Sequence, residues 1–140
     1  MAMILLVGTD AALLEGLAQT LGAVGHRSRI AQSVAEAAEA TANEPALIAV
    51  VERAIAAGSS DVLRLPLQPG GALVLFKAPG ELSTPLGRSV QRLTLAELTL
   101  PLERQRLVAL VQHVEERARR AGRIEEFGTL DRGASGEMGA

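Results

Sequence analysis

Three places in the chain hold residues whose types could do chemistry. Gly8-Thr9-Asp10 closes one apolar run, Glu52 follows a second, and Lys77 ends a third. If these runs are parallel strands, Thr9, Asp10, Glu52 and Lys77 converge at the strands' carboxyl ends, the crevice where open α/β sheets bind ligands. An enzyme or a small-ligand binder would use that crevice, although the group lacks a matched acid–base pair. His26 and His113 are the only histidines, and neither belongs to a carboxylate–serine arrangement of triad type. Both are expected to be structural or exposed. Gly8-Thr9 does not extend to G-x-G-x-x-G, and no G-x-x-x-x-G-K-[ST] loop occurs, so nucleotide binding has no motif. With no cysteine, thiol nucleophiles, disulfides and thiolate metal sites are excluded. No cofactor is expected.

The elements that must position these residues follow from hydrophobic periodicity. Met3 to Val7 is a continuous apolar run suited to an inner parallel strand, with Thr9 or Asp10 as N-cap of the next helix. Leu13, Leu14, Leu17 and Leu21 give that helix its buried stripe, and Gly22 and Gly25 end it. Residues 26–31 read as a polar edge strand. Ser33 and Glu36 form a capping-box pattern for a second helix reaching about Asn43, with Val34, Ala37, Ala38 and Thr41 inward.

Residues 46–51 are a second buried strand, bounded by Pro45 and by Glu52-Arg53. From Ala54 to Gly71, Pro66, Pro69 and Gly70-Gly71 permit only a stunted helix or loop. Residues 72–77 form a third buried strand. Pro85 opens a weak helix to about Leu93, with Leu86 and Val90 inward, and Thr94 to Thr99 makes a last strand. Pro101 opens the best helix, whose Leu107, Leu110, Val111 and Val114 recur at helical spacing as far as Arg120. The order alternates strand and helix, which predicts a parallel sheet with helices on both faces. Residues 1–120 form one domain, and residues 121–140 are expected to be a tail or a linker to a missing effector domain.

Composition narrows the partners. The 140 residues are 48% hydrophobic, yet Phe76 and Phe127 are the only aromatics, so the core is aliphatic and stacking platforms for single-stranded nucleic acid are lacking. A net charge of −2 and a pI near 5.7 give no global attraction to nucleic acid or acidic membranes. The first apolar run meets Asp10 too soon for a secretory signal, and no segment approaches ~18 uninterrupted apolar residues. A cytoplasmic chain is expected.

In count and spacing, this plan resembles the receiver domain of bacterial two-component response regulators, the CheY-like branch of the flavodoxin-like fold. The resemblance rests on residues 4–7, 45–48, 75–78 and 98–102, taken in order. It implies a five-stranded sheet of order 2-1-3-4-5. In the family, strand one ends in an acidic pair that holds Mg²⁺, strand three in a phosphoacceptor Asp, and strand four in Thr or Ser. A Lys precedes a Pro after strand five. Aligned by these anchors, Gly8 and Thr9 stand at the acidic pair, Val51 at the acceptor, Lys77 at the Thr/Ser position and Leu100 at the Lys. Asp10 and Pro101 match flanking residues, and Glu97 stands where the family tends to carry a switch aromatic. Val51 offers no nucleophile, and Gly8-Thr9 offers no carboxylates for a divalent ion.

The resemblance therefore implies a degenerate receiver that works by binding, without phosphate, and is not an enzyme. Its docking or dimerisation face would be that of helix four, strand five and helix five, decorated by Arg88, Arg92, Glu97, Arg104 and Arg106. Two residues have alternative readings. Lys77 either pairs with Asp10 or Glu52 or snorkels to water over its apolar stem, and Glu52 is either a mimic of a phosphorylated acceptor or a solvated loop carboxylate. The family also places a cis peptide where Leu100-Pro101 stands, with Leu100 expected to turn toward the former phosphate pocket.

Overall fold

In the computed structural model, the backbone is described for residues 2–134 and the side chains for residues 2–121. Five parallel strands, β1 (Met3–Val7), β2 (Arg27–Ala31), β3 (Ala46–Glu52), β4 (Leu67–Lys77) and β5 (Thr94–Thr99), lie in the order β2-β1-β3-β4-β5. This is the CheY-like, flavodoxin-type arrangement expected from the sequence. β1 is buried throughout and β3 up to its last residue, as continuous apolar strands covered on both faces must be.

Helices α1 (Ala11–Ala23) and α5 (Arg104–Ala134) cover one face. Leu14, Leu17, Leu21, Leu107, Val111 and Val114 pack there against Ile4, Leu6, Val50, Phe76, Leu98 and Leu100. Helices α2 (Val34–Ala40), α3 (Arg53–Gly58) and α4 (Arg88–Leu93), with a 3₁₀ turn over Ser60–Arg64, cover the other. Ala37, Ala56, Val62, Leu65 and Val90 meet Leu5, Val7, Val51 and Leu75 on that side.

Local chemistry sets the helix starts. Asp10, not Thr9, is the N-cap of α1, its carboxylate accepting from the Leu13 amide at 3.1 Å. The capping pattern at α2 forms as read: Ser33 Oγ accepts from the Glu36 amide, and Glu36 reaches back to the amide of Gln32. α2 stops at Ala40, short of Asn43, as Thr41 buries its hydroxyl against the Ala37 carbonyl at 2.8 Å. Ala38 is exposed, contrary to its expected inward place. Buried His26 is structural, its Nδ1 accepting from the Ala2 amide at 3.1 Å, and His113 is exposed.

Three boundaries differ from the sequence reading. β4 starts at Leu67 instead of Ala72, because a register shift between its pairs with Ala46 and Ile48 absorbs Pro69-Gly70-Gly71 as a bulge, where a missing amide and a positive φ are tolerated. α4 begins only at Arg88, since Gly87 at its N-cap supplies no side-chain bond. α5 continues past Arg120 to Ala134, so residues 122–134 of the expected tail have helical backbone. A helix nucleated by a packed first half propagates through weak formers at about 1 kcal/mol per glycine. Residues 135–140 lie outside the described residues. Among the described residues, no helix is long and apolar enough to cross a membrane.

Candidate functional site

Thr9, Asp10, Glu52 and Lys77 all stand at or just beyond the carboxyl ends of strands β1, β3 and β4, whereas His26 and His113 lie elsewhere. β1 is extended by the Gly8 amide, which donates to the Ala31 carbonyl at 3.1 Å. Gly8 has no side chain, and a Cβ there would meet Phe76 Cζ at 3.1 Å, Glu52 Oε1 at 3.5 Å and Leu14 Cδ2 at 3.6 Å. A side chain at this position would press on the Phe76 ring, which would have to give by a few tenths of an ångström.

Next in the chain, Thr9 donates twice to one atom. Its amide and its hydroxyl reach Glu52 Oε1 at 3.0 and 3.1 Å. The half-buried Glu52 thus laces the end of β3 to the β1–α1 loop, and the reading of it as a merely solvated loop carboxylate is corrected. Its neighbour Val51 points the opposite way, as strand alternation requires, and is fully buried beneath the α2–α3–α4 layer.

Arg53, the first residue of α3, extends the lacing across the sheet. Its Nε donates to the Thr84 carbonyl at 3.0 Å, and its Nη1 pairs with Glu97 of β5 at 2.6 Å. The Arg53 side chain is only 13% exposed, whereas its partner Glu97 lies at the surface, so the pair is open to solvent on the β5 side. Lys77 meets neither Asp10 nor Glu52. Its ammonium donates to Ser83 Oγ at 3.1 Å and to the Glu81 carbonyl at 3.4 Å, pinning the β4–α4 loop instead of snorkelling freely.

The Leu100-Pro101 peptide is cis, as the resemblance implied. Leu100 itself is fully buried on the α1–α5 side of the sheet, not over Val51, while its amide donates to the Lys77 carbonyl at 3.0 Å. The expected turn toward the former pocket is corrected: Leu100 joins the core packed around Leu107. Glu103 closes the β5–α5 turn by accepting from the Thr99 amide at 2.6 Å and from Arg106 at 2.9 Å. The Thr99 amide, with Arg106 second, holds its carboxyl below the usual carboxylate range.

Two residues of this site escaped sequence reasoning. Phe76 was legible only as strand core, although it is the one aromatic within 1–120 and precedes Lys77. Arg53 was legible only as a strand boundary. At this end of the sheet Phe76 lies 3.1 Å from a Cβ on Gly8, Oε1 of Glu52 accepts from Thr9, and Oδ1 of Asp10 caps α1. Among the described residues, no group of three or more His, Asp or Glu side chains gathers.

No family model matches the chain, and no curated protein matches it. Solved structures do. A CheY-like receiver domain from Methanospirillum hungatei JF-1 superposes with a TM-score of 0.66 at 19% identity, over 86% of this chain and 98% of that one. The signal receiver domain of a putative Luxo repressor protein from Vibrio parahaemolyticus gives 0.69 at 17% identity, over 89% and 97%. The fold is that of a receiver domain. NtrX from Brucella abortus, solved in complex with ADP, aligns over 98% of this chain but only 30% of its own, with a TM-score of 0.69 at 17% identity. Gly8, Thr9, Val51, Lys77 and Leu100 all stand at or next to the carboxyl ends of strands.

On the expected docking face, Arg88, Arg92 and Arg104 are exposed. Glu97 is engaged by Arg53, and Arg106 by Glu103.

Proposed function

We propose that this chain is a receiver-type signalling module that works by binding a protein partner or a second copy, independently of phosphorylation, and is not an enzyme. The observation behind this reading is the filled and cross-tied crevice. Val51 buries an isopropyl group where an acceptor carboxylate would have to sit, Phe76 fills the space beside Gly8, and Thr9 and Glu52 satisfy each other. A receiver that responds to phosphate needs a nucleophile and a metal, and it needs elements free to move between two states. Here Arg53 joins the start of α3 to β5 through Glu97, and Lys77 joins the end of β4 to the following loop through Ser83. The same ties count against a ligand-binding crevice, since Thr9, Glu52 and Lys77 are all engaged within the chain.

The reading is tested by amide NMR during titration with Mg²⁺ and beryllofluoride, a mimic of a bound phosphoryl group. Resonances of Gly8, Thr9, Glu52 and Lys77 are expected to stay in place. A saturable shift spreading from these residues to β5 would overturn it.

A further inference from the structure

We infer that Ser83, on the loop between β4 and α4, is a site of phosphorylation by a protein-serine kinase, with Lys77 placed to receive the added phosphate. The reading above concerns acyl phosphate at the strand ends, and this inference goes beyond it: the ester forms on a loop hydroxyl and needs neither an aspartate nor a resident metal. Residues 81–87 carry no helix or strand, and Leu82, Ser83, Thr84 and Pro85 are all exposed. Pro85 biases Thr84 toward extended backbone, so the Ser83 hydroxyl sits in the kind of accessible, strand-like stretch that a kinase cleft has to take up. Leu82 is 88% exposed, so the segment is not anchored in the core on that side.

The surroundings of Ser83 set it apart from other hydroxyls. Among the described residues, those of Thr20, Thr41 and Thr94 donate to main-chain carbonyls, those of Ser33 and Ser59 accept from amides at helical starts, and that of Thr9 donates to Glu52. Ser83 Oγ instead accepts from the Lys77 ammonium at 3.1 Å, so a cation already stands at the atom that would carry the phosphate. Arg53 donates to the Thr84 carbonyl at 3.0 Å, which brings a second positive charge to the next residue of the loop. Glu81, the carboxylate nearest in sequence, is engaged by the backbone, its Oε1 accepting from the Ala78 amide at 3.0 Å. In the transfer, Ser83 Oγ attacks the γ-phosphorus of a nucleoside triphosphate held by the kinase. The bond from that phosphorus to the bridging oxygen breaks, the diphosphate leaves, and the hydroxyl proton passes to the kinase's base. The product carries about two negative charges at neutral pH. It gives Lys77 a charged acceptor in place of a neutral one and competes with Glu97 for Arg53.

The test has two arms, both on the whole chain. In the first, the chain is incubated with Mg²⁺, ATP and an extract of the cells that produce it, then cut with trypsin. The peptide Ala78–Arg88 is expected to gain one phosphoryl mass, which fragmentation should place on Ser83, and Ser83→Ala should gain none there. No phosphate on this peptide, or phosphate on Thr84 instead, would overturn the proposal. In the second arm, phosphoserine is installed at position 83 during synthesis. Its second ionisation, followed by ³¹P NMR, should fall below the ordinary value of about 6, and the melting temperature should rise by about 2–4 °C over the unmodified chain. Both shifts should shrink by half or more in Lys77→Gln. Equal ionisation and equal melting in the presence and absence of Lys77 would overturn its placement as the receiving cation. Failure here is distinguishable from failure of the reading above. An adduct formed from a small acyl phosphate without a kinase, on the peptide that holds Val51 and Glu52, sinks that reading and leaves Ser83 untouched.

Discussion

Thr9 places both of its donors, the backbone amide at 3.0 Å and the hydroxyl at 3.1 Å, on the single oxygen Oε1 of Glu52. The contact joins the ends of two adjacent central strands, and a charged acceptor makes it stronger than an average hydrogen bond. Glu52→Ala should therefore cost about 1–2 kcal/mol in urea unfolding, and Glu52→Gln, which keeps an acceptor oxygen, less than half of that. A double-mutant cycle with Thr9→Val should show coupling between the pair. A Glu52→Ala variant as stable as wild type would mean that the carboxylate is solvated after all.

Gly8 is where the ring of Phe76 comes within 3.1 Å of a Cβ position. Gly8→Asp should destabilise by about 1–3 kcal/mol through overpacking and should not create a metal site. The check is the melting temperature of Gly8→Asp with and without Mg²⁺. A rise that grows with Mg²⁺ concentration would show that the carboxylate is accommodated and binds.

Arg53 joins α3 to β5 through Glu97 and to the β4–α4 loop through the Thr84 carbonyl. Its removal takes the partner from an exposed carboxylate and from a loop carbonyl and empties a mostly buried site, so Arg53→Ala should cost about 1 kcal/mol. Arg53→Lys should recover only part, since one ammonium cannot reproduce the forked geometry. Full recovery by lysine would reduce the contact to simple charge attraction.

Glu103 gives a pH signature. Its carboxyl titrates below the ordinary range in the folded chain because the Thr99 amide and Arg106 favour the charged form. A depressed folded value contributes stability that is present above the unfolded pKa, about 4.3, and is lost as pH falls through the folded one. Glu103→Gln should therefore melt below wild type at pH 7, with the gap closing in progressively more acidic buffers. A gap of constant size across that range would assign the effect to shape instead of charge.

The fold was legible because its signals are redundant. Residues 3–7, 46–51 and 72–77 are apolar runs of strand length, and Leu107, Val111 and Val114 repeat at helical spacing, so each element was marked independently. The proposal of an emptied pocket was legible too, since Val51 lacks a nucleophile wherever it points. What replaced the chemistry was not legible. Whether Glu52 is solvated or bonded depends on a loop 43 residues away in sequence, and Arg53 finds Glu97 at a separation of 44. Periodicity carries no information about such long-range polar pairing. β4's early start failed for a related reason: Pro69-Gly70-Gly71 has the composition of a turn, and only the neighbouring carbonyl of Leu47, 2.4 Å from a Cβ built on Gly71, explains why glycine stands in a strand.

The central claim is that the crevice no longer takes up a phosphoryl group, and intact-mass spectrometry addresses it most directly. The chain is incubated with Mg²⁺ and a small acyl phosphate beside an ordinary receiver domain with its acidic pocket intact. The ordinary domain should gain a phosphoryl mass, and this chain should not change, because Val51 is buried and the neighbouring carboxylate of Glu52 is held by Thr9. A stable phosphoryl adduct on this chain, mapped to the peptide that contains Val51 and Glu52, would contradict the account.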